Sequence, residues 1–205
     1  MKVSRLLLAA AAAGLVVALG ACTTVPYQAN NTSFSFDPPA QRPTNPSAVK
    51  LKLSTGAQRL YVVEGNTVLL ATPVTVGTRA DPTPHGNFTI YSKVANRRRV
   101  SSPGAGYPMT YWMEFKPAYG LHWGFVKPYP STHGCVRLPL DAARKTFALI
   151  RVGTPINIAT SQPWDATIGK TLPVLDDTKL ADPPMSYMMS SRVFADAERG
   201  IMWNY

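Results

Sequence analysis

The stretch LHWGFVKPYPSTHGCVRLP, residues 121–139, holds Cys135, one of only two cysteines in a chain of 205 residues. It also holds two of the chain's three histidines, His122 and His133, with twelve residues separating His122 from Cys135. A thiol attacks as thiolate, so a reactive cysteine needs an imidazole or another positive group nearby. His122 closes an apolar, strand-like run, and Cys135 lies in a glycine-containing loop that leads into a helical pattern. A strand end and a loop before a helix can face one another, which sets His122 beside the thiol as ion-pair partner and proton carrier. The intervening WGFVKPYPST, with two prolines and a glycine, reads as a stiff connection over a site. Gly134 lets backbone and substrate approach closely and lets turn N–H groups point at a developing oxyanion. The Arg137 guanidinium can fork onto a substrate carboxylate or serve a structural salt bridge.

The periodicity on either side builds a mainly β domain. VKLKL (49–53) alternates apolar and basic residues, and RLYVVEGNTVLLATPVTVG (59–77) gives two β-rich runs about Glu64-Gly65-Asn66, an opening hairpin. GNFTIYSKV (86–94) predicts one further strand, and PMTYWMEFK and YGLHWGF predict two aromatic ones. After Arg137 the period changes. Leu140, Ala143, Phe147 and Ile150 share a helical face, Asp141 sits in the first turn and Gly153 ends the helix, the only convincing one expected in the mature chain. TPINIA (154–159) reads as a closing strand. Tyr107, Tyr111, Trp112 and Trp123 could line the crevice, but aromatic residues in a small β domain are core by default.

The termini set the context. Lys2 and Arg5 precede an apolar run, Leu6 to Leu19, too short and too alanine-rich for a membrane span, so residues 1–21 read as a secretion signal. Leu19-Gly20-Ala21-Cys22 resembles the cleavage site of bacterial lipoprotein precursors, which implies lipidation of Cys22 and membrane attachment. Thr23 stands where an aspartate would signal inner-membrane retention, so the resemblance implies a periplasmic protein held at the outer membrane. With Cys22 lipidated, Cys135 has no disulfide partner. Residues 22–47, rich in Pro, Asn, Ser and Thr, read as a tether. Residues 48–160 read as the domain, and 161–205, polar and proline-marked but containing Trp164, Met188, Met189, Phe194 and Trp203, as a peripheral extension. The formal charge of +10 falls to +8 once Lys2 and Arg5 leave with the signal, which suits an anionic envelope partner. The secretion signal argues against nucleic acid. Arg97, Arg98 and Arg99 form the one dense basic run, by default a solvated turn, and His85 reads as a surface turn residue.

His122, Gly124, Thr132, His133, Gly134, Cys135, Val136 and Arg137 resemble, position by position, the signature of the L,D-transpeptidases with a YkuD-type catalytic domain. VTVGTRADPTPHGNFTI (74–90) and RVGTPINI (151–158) extend the resemblance. The short loop between His122 and Cys135 is similar to a compact proteobacterial branch, and implies an open crevice. The resemblance implies a β-sandwich with one helix after the catalytic cysteine, and a cell-wall enzyme acting on peptidoglycan stem peptides without metal or cofactor. It implies Cys135 as nucleophile, His122 as proton donor and acceptor, His133 and Gly134 at the oxyanion site or shaping it, and Thr132 and Arg137 as substrate-binding. The acyl group of a tetrapeptide stem would pass, with release of D-alanine, to a second stem or to an envelope protein. The alternatives are an L,D-carboxypeptidase, in which water is the acceptor, and a non-catalytic wall-binding lipoprotein.

Overall fold

In the computed structural model, residues 32–202 are described. The signal segment, Cys22, the first part of the tether and Trp203 lie outside them. Strand β1 (Val49–Ser54) buries Val49, Leu51 and Leu53 while Lys50 faces solvent, as its alternation demands. It pairs antiparallel with β2 (Arg59–Glu64), which turns at Gly65, φ 58°, into antiparallel β3 (Thr67–Pro73). Four strands follow: β4 (Gly86–Thr89), β5 (Ser92–Arg98), β6 (Pro108–Lys116) and β7 (Tyr119–Trp123). After the site loop come the three-residue β8 (Val136–Leu138), helix α1 (Leu140–Leu149) and β9 (Pro155–Ala159). One sheet has the order β3-β2-β1-β9-β4 and the other β5-β6-β7-β8. They share one apolar core: Leu51, Leu60, Leu70, Ile156 and Ile158 from the first, Met113, Leu121, Val136 and Leu138 from the second, Leu140 and Ala143 from α1. The expected mainly β, two-sheet architecture is therefore the one observed.

One strand differs from expectation. GNFTIYSKV is not one strand. Ile90 N–H donates to Thr154 O (2.9 Å) and Tyr91 N–H to Glu114 O (3.0 Å), so the chain changes partner between adjacent residues, leaving β4 in one sheet and β5 in the other. This is a sandwich corner, invisible to a period-two pattern that continues through it. The TPINIA strand is the last in chain order, as expected, and runs inside its sheet as β9, parallel to β1 on one side and antiparallel to β4 on the other. Its two isoleucines, each 1% exposed, fit that interior place.

Both flanking segments lie on the domain. The described part of the tether is strapped down rather than free: Gln41 N–H donates to Leu69 O (2.9 Å), Thr44 and Asn45 N–H donate to the Glu64 carboxylate (2.8 and 2.6 Å), and Lys145 pairs with Asp37. The extension adds three short helices, α2 (Ile168–Thr171), α3 (Met185–Met189) and α4 (Arg192–Glu198), so α1 is not the only helix. Met188, Val193 and Ala197 join the main core. The arginine run is not a solvated turn either. Arg97 and Arg98 belong to β5, and Arg98 donates to Met188 O and Ser190 O (both 2.9 Å) while lying 4.6 Å over the Phe194 ring. Truncating the interior strand tests its weight: Ile158→Ala is expected to cost about 2–5 kcal/mol in urea unfolding.

Candidate active site

Strands β7 and β8 run parallel with Leu121 opposite Val136, His122 opposite Arg137 and Trp123 opposite Leu138. Facing residues point to the same side of a sheet, and so do residues two apart. Continuing the register back by one sets Cys135 beside Gly120. Hence His122, Cys135 and Arg137 share the face away from the core residues Leu121, Val136 and Leu138. Gly120 and Gly124 flank His122 on that face, and both are glycines for space. A Cβ on Gly120 would meet the Trp112 indole at 2.8 Å, and one on Gly124 would meet the Arg137 side chain at 2.8 Å. Each therefore lets a neighbour lie against the imidazole. The Trp112 and His122 ring centroids are 5.7 Å apart.

The loop before Cys135 is closed by two threonine hydroxyls. Thr132 Oγ1 donates to Cys135 O (2.6 Å) and accepts from Gly134 N–H (3.1 Å). Thr83 Oγ1 donates to Gly134 O (3.0 Å) and accepts from Gly77 N–H (2.9 Å). Gly134 has φ 100°, and an added Cβ would lie 2.4 Å from Cε1 of Tyr119. Conformation and space thus both demand glycine there.

Three effects set the electrostatics. His122 Nδ1 lies 2.5 Å from Trp123 O. A carbonyl only accepts, so Nδ1 carries the proton and Nε2 keeps the lone pair of a base. Burial, reinforced by the Arg137 charge and opposed by the Trp123 carbonyl, draws the imidazole pKa down to about 4. Burial pushes the Cys135 thiol above its ordinary value, while the Gly120 N–H and the charges of Arg137, Arg99 and Arg97 pull the other way. At neutral pH both groups are uncharged, and the thiol donates to Ala118 O (3.7 Å). The ion pair expected from the sequence is therefore not the resting state.

Around this centre stand arginines without carboxylate partners. Among the described residues, neither Arg137 nor Arg99 enters an ion pair, whereas Arg97, Arg144, Arg192 and Arg199 do. Arg97 bonds Glu114 at 3.2 Å and lies 4.5 Å over the Trp112 ring. Strict alternation from Val94, opposite Trp112, would send Arg97 to the other face. The pleat is broken at Tyr111, a non-glycine residue with φ 57°, whose pairing with Ala95 is skipped in the β5–β6 ladder.

Residues 49–158, more than half of the chain, match the L,D-transpeptidase catalytic domain family, YkuD. The chain belongs to this family. Among solved structures it resembles an L,D-transpeptidase from Stackebrandtia nassauensis, at 23% identity and TM-score 0.50 over 60% of each chain. It also resembles the Ldtfm-avibactam carbamoyl enzyme, at 22% identity and TM-score 0.50 over 56% of this chain and 50% of that one. An L,D-transpeptidase from Mycobacterium smegmatis matches at 22% identity and TM-score 0.49, over 55% and 58%. The first two likenesses concern the fold, and the match spans at most 60% of each of these solved chains. No curated protein matches it.

Within this L,D-transpeptidase domain, the structure brings Cys135, His122, Gly134 and Arg137 together and revises two expectations. Thr132 is 2% exposed with its hydroxyl committed to the loop, so it shapes the loop and is not placed to bind substrate. Gly134 N–H is taken by that hydroxyl, so it does not point at an oxyanion. His133 is an exposed residue of the same loop. Arg137 has no structural salt bridge among the described residues, and His85 is an exposed residue bonded to Thr55 Oγ1 at 2.8 Å. Sequence reasoning missed Thr83 and Glu114, and set Trp112, which could line the crevice, in the core by default although it lies against His122 on the site face. Burial pushes the Glu114 carboxyl up, but bonds from Trp112, Tyr91 and Ala118 and the Arg97 charge bring it below its usual value. A lone acid in the apolar run PMTYWMEFK was the available signal, since acids enter such strands only when paired.

Two measurements check this electrostatic and steric picture. The unfolded state binds a proton on His122 below about pH 6.5 and the folded state only near 4, so this contribution is complete above 6.5 and is lost as pH falls through that window. It amounts to about 3 kcal/mol, and His122→Gln is expected to flatten the stability-versus-pH slope of wild type between these values. Gly134→Ala is expected to lower the unfolding free energy by about 1–3 kcal/mol. A Tyr119→Ala background should recover only the steric part of that loss, because the left-handed backbone stays strained.

Proposed function

We propose that the protein is a peptidoglycan L,D-transpeptidase with Cys135 as nucleophile and His122 as base. The observation that carries the reading is a buried, tautomer-fixed imidazole on the same sheet face as a half-buried thiol, beside an arginine that has no carboxylate partner among the described residues. As Sγ attacks the carbonyl carbon at the L-centre of diaminopimelate in a tetrapeptide stem, His122 Nε2 takes the thiol proton. The low pKa of His122 suits it to pass that proton on at once. When the tetrahedral intermediate collapses, the C–N bond to D-alanine breaks and the imidazolium protonates the leaving amine, leaving a thioester. An acceptor amine then attacks, its proton goes to His122, and Sγ leaves and recovers a proton.

With Gly134 N–H engaged, the oxyanion falls to Cys135 N–H and to Gly120 N–H, which already points at Sγ. Arg137, with Arg99 nearby, takes a stem carboxylate. We further propose, from the sequence, a lipoprotein anchored through Cys22 in the outer membrane and facing the wall, with a basic surface suited to anionic envelope polymers. The acceptor is a second stem, giving a 3-3 cross-link, or an amine of an envelope protein.

Purified protein incubated with tetrapeptide muropeptides and candidate amines should release D-alanine and form a new amide, read by mass spectrometry. Cys135→Ala should release none while melting like wild type. Release of D-alanine by that variant would overturn the assignment. Release without any new amide would identify a carboxypeptidase. A wild-type protein that binds wall but neither releases D-alanine nor forms a carbapenem adduct on Cys135 would be a binder only.

A further inference from the structure

The loop joining β7 to β8 is held by a carboxylate from outside the family domain. Asp177, only 3% exposed, accepts Ser33 N–H on Oδ1 at 2.8 Å, and accepts Ser33 Oγ–H at 2.5 Å and Val126 N–H at 2.6 Å on Oδ2. Its own N–H donates to Val126 O at 2.9 Å. Ser33 precedes the family match, Val126 lies in the site loop and Asp177 follows the match, so one carboxylate ties three remote parts of the chain. Among the described residues it has no ion-pair partner; burial pushes its carboxyl up, and the bonds from Ser33 and Val126 only partly oppose this. The same contact is extended by rings: Phe34 packs edge-on against Phe125 at 5.7 Å, and Phe125 lies 6.0 Å from Trp123. Thr75 holds the next residue, Lys127, from inside the domain, with Oγ1 accepting its N–H at 2.7 Å.

What Val126 holds still is the start of the loop. Three residues earlier, the Trp123 carbonyl receives His122 Nδ1–H and so sets both the tautomer and the ring orientation. A backbone pinned at Val126 and Lys127 and paired in β7 up to Trp123 leaves that carbonyl little freedom. Removing the carboxylate leaves Ser33 N–H and Val126 N–H buried without an acceptor, and the segment must move to find water.

We propose that Asp177 is a positioning residue for the His122 imidazole, acting through Val126 and the Trp123 carbonyl, so that the segments flanking the family domain are part of the active site. This rests on the reading of His122 as the base. It gives the extension a role that packing alone does not: a pull on the strap at Ser33, on the side where the chain continues toward Cys22, reaches the catalytic imidazole through a single carboxylate.

The test uses the full chain and needs no peptide substrate. Cys135 alkylation by iodoacetamide is followed by mass spectrometry for wild type, Asp177→Asn, Ser33→Ala and His122→Gln, together with melting temperature and amide exchange at Val126. Asp177→Asn is expected to slow alkylation about tenfold, and Ser33→Ala, which removes one donor and spares both backbone bonds, about threefold. Val126 exchange should quicken in both, with melting close to wild type. With tetrapeptide substrate the same variants should lower kcat and leave KM within about twofold. Should Asp177→Asn fail to fold, Ser33→Ala decides. Wild-type alkylation rates in the folded Asp177 and Ser33 variants, with His122→Gln still slow, would overturn the positioning role and leave the base intact. Unchanged alkylation in His122→Gln would overturn the base itself, and the positioning role with it.

Discussion

The pairing of two short parallel strands governs the site. β7 and β8 share a register of three residues, and that register alone decides that Cys135, His122 and Arg137 look out from one face while Leu121, Val136 and Leu138 look into the core. A slip by one residue would turn the thiol inward. So short a strand does not hold register unaided. The bridge from Thr75 to Arg137, two backbone bonds of 2.9 and 3.0 Å, fixes its far edge, and the Thr83 and Thr132 hydroxyls close the loop that feeds it. The threonines and the glycines around Cys135 are thus geometric devices that set where the thiol, the imidazole and Arg137 stand.

Much of this was legible before any coordinates. Alternation announced β1, β-rich apolar runs about Glu64-Gly65-Asn66 announced β2 and β3, and the helical face Leu140, Ala143, Ile150 announced α1, because each pattern is one that burial enforces over several residues. β8 was not legible, since three residues carry no period. The split of GNFTIYSKV was hidden because a strand that changes sheets keeps alternating through the corner. Within the site, Cys135, His122, Gly134 and Arg137 stood out by type and spacing. The task of Thr132 was misread because a hydroxyl gives no sign of whether it faces ligand or backbone. Arg97 was masked by the left-handed residue at Tyr111, which breaks the alternation a reader relies on. The partners of the flanking segments, separated by up to 144 residues in sequence as Ser33 and Asp177 are, have no local signature at all.

The arginines and the buried histidine pull in opposite directions. Positive charge around the site favours a thiolate, yet it also disfavours an imidazolium, and burial disfavours both ions. The balance is a centre that is neutral at rest and builds charge only as a bond to carbon forms. A carboxylate arriving at Arg137 would relieve the field on His122 and raise its basicity at that moment, so binding and activation are linked through the same guanidinium.

The neutral thiol has one more consequence. Peroxide and disulfides react with thiolate, and their rates fall with the fraction of thiol that is ionised. Cys135 is half-buried, protonated and turned toward a carbonyl, so outside turnover it is a poor target for sulfenic acid formation or mixed disulfides. The burial that holds the thiol protonated therefore also shields it from oxidation.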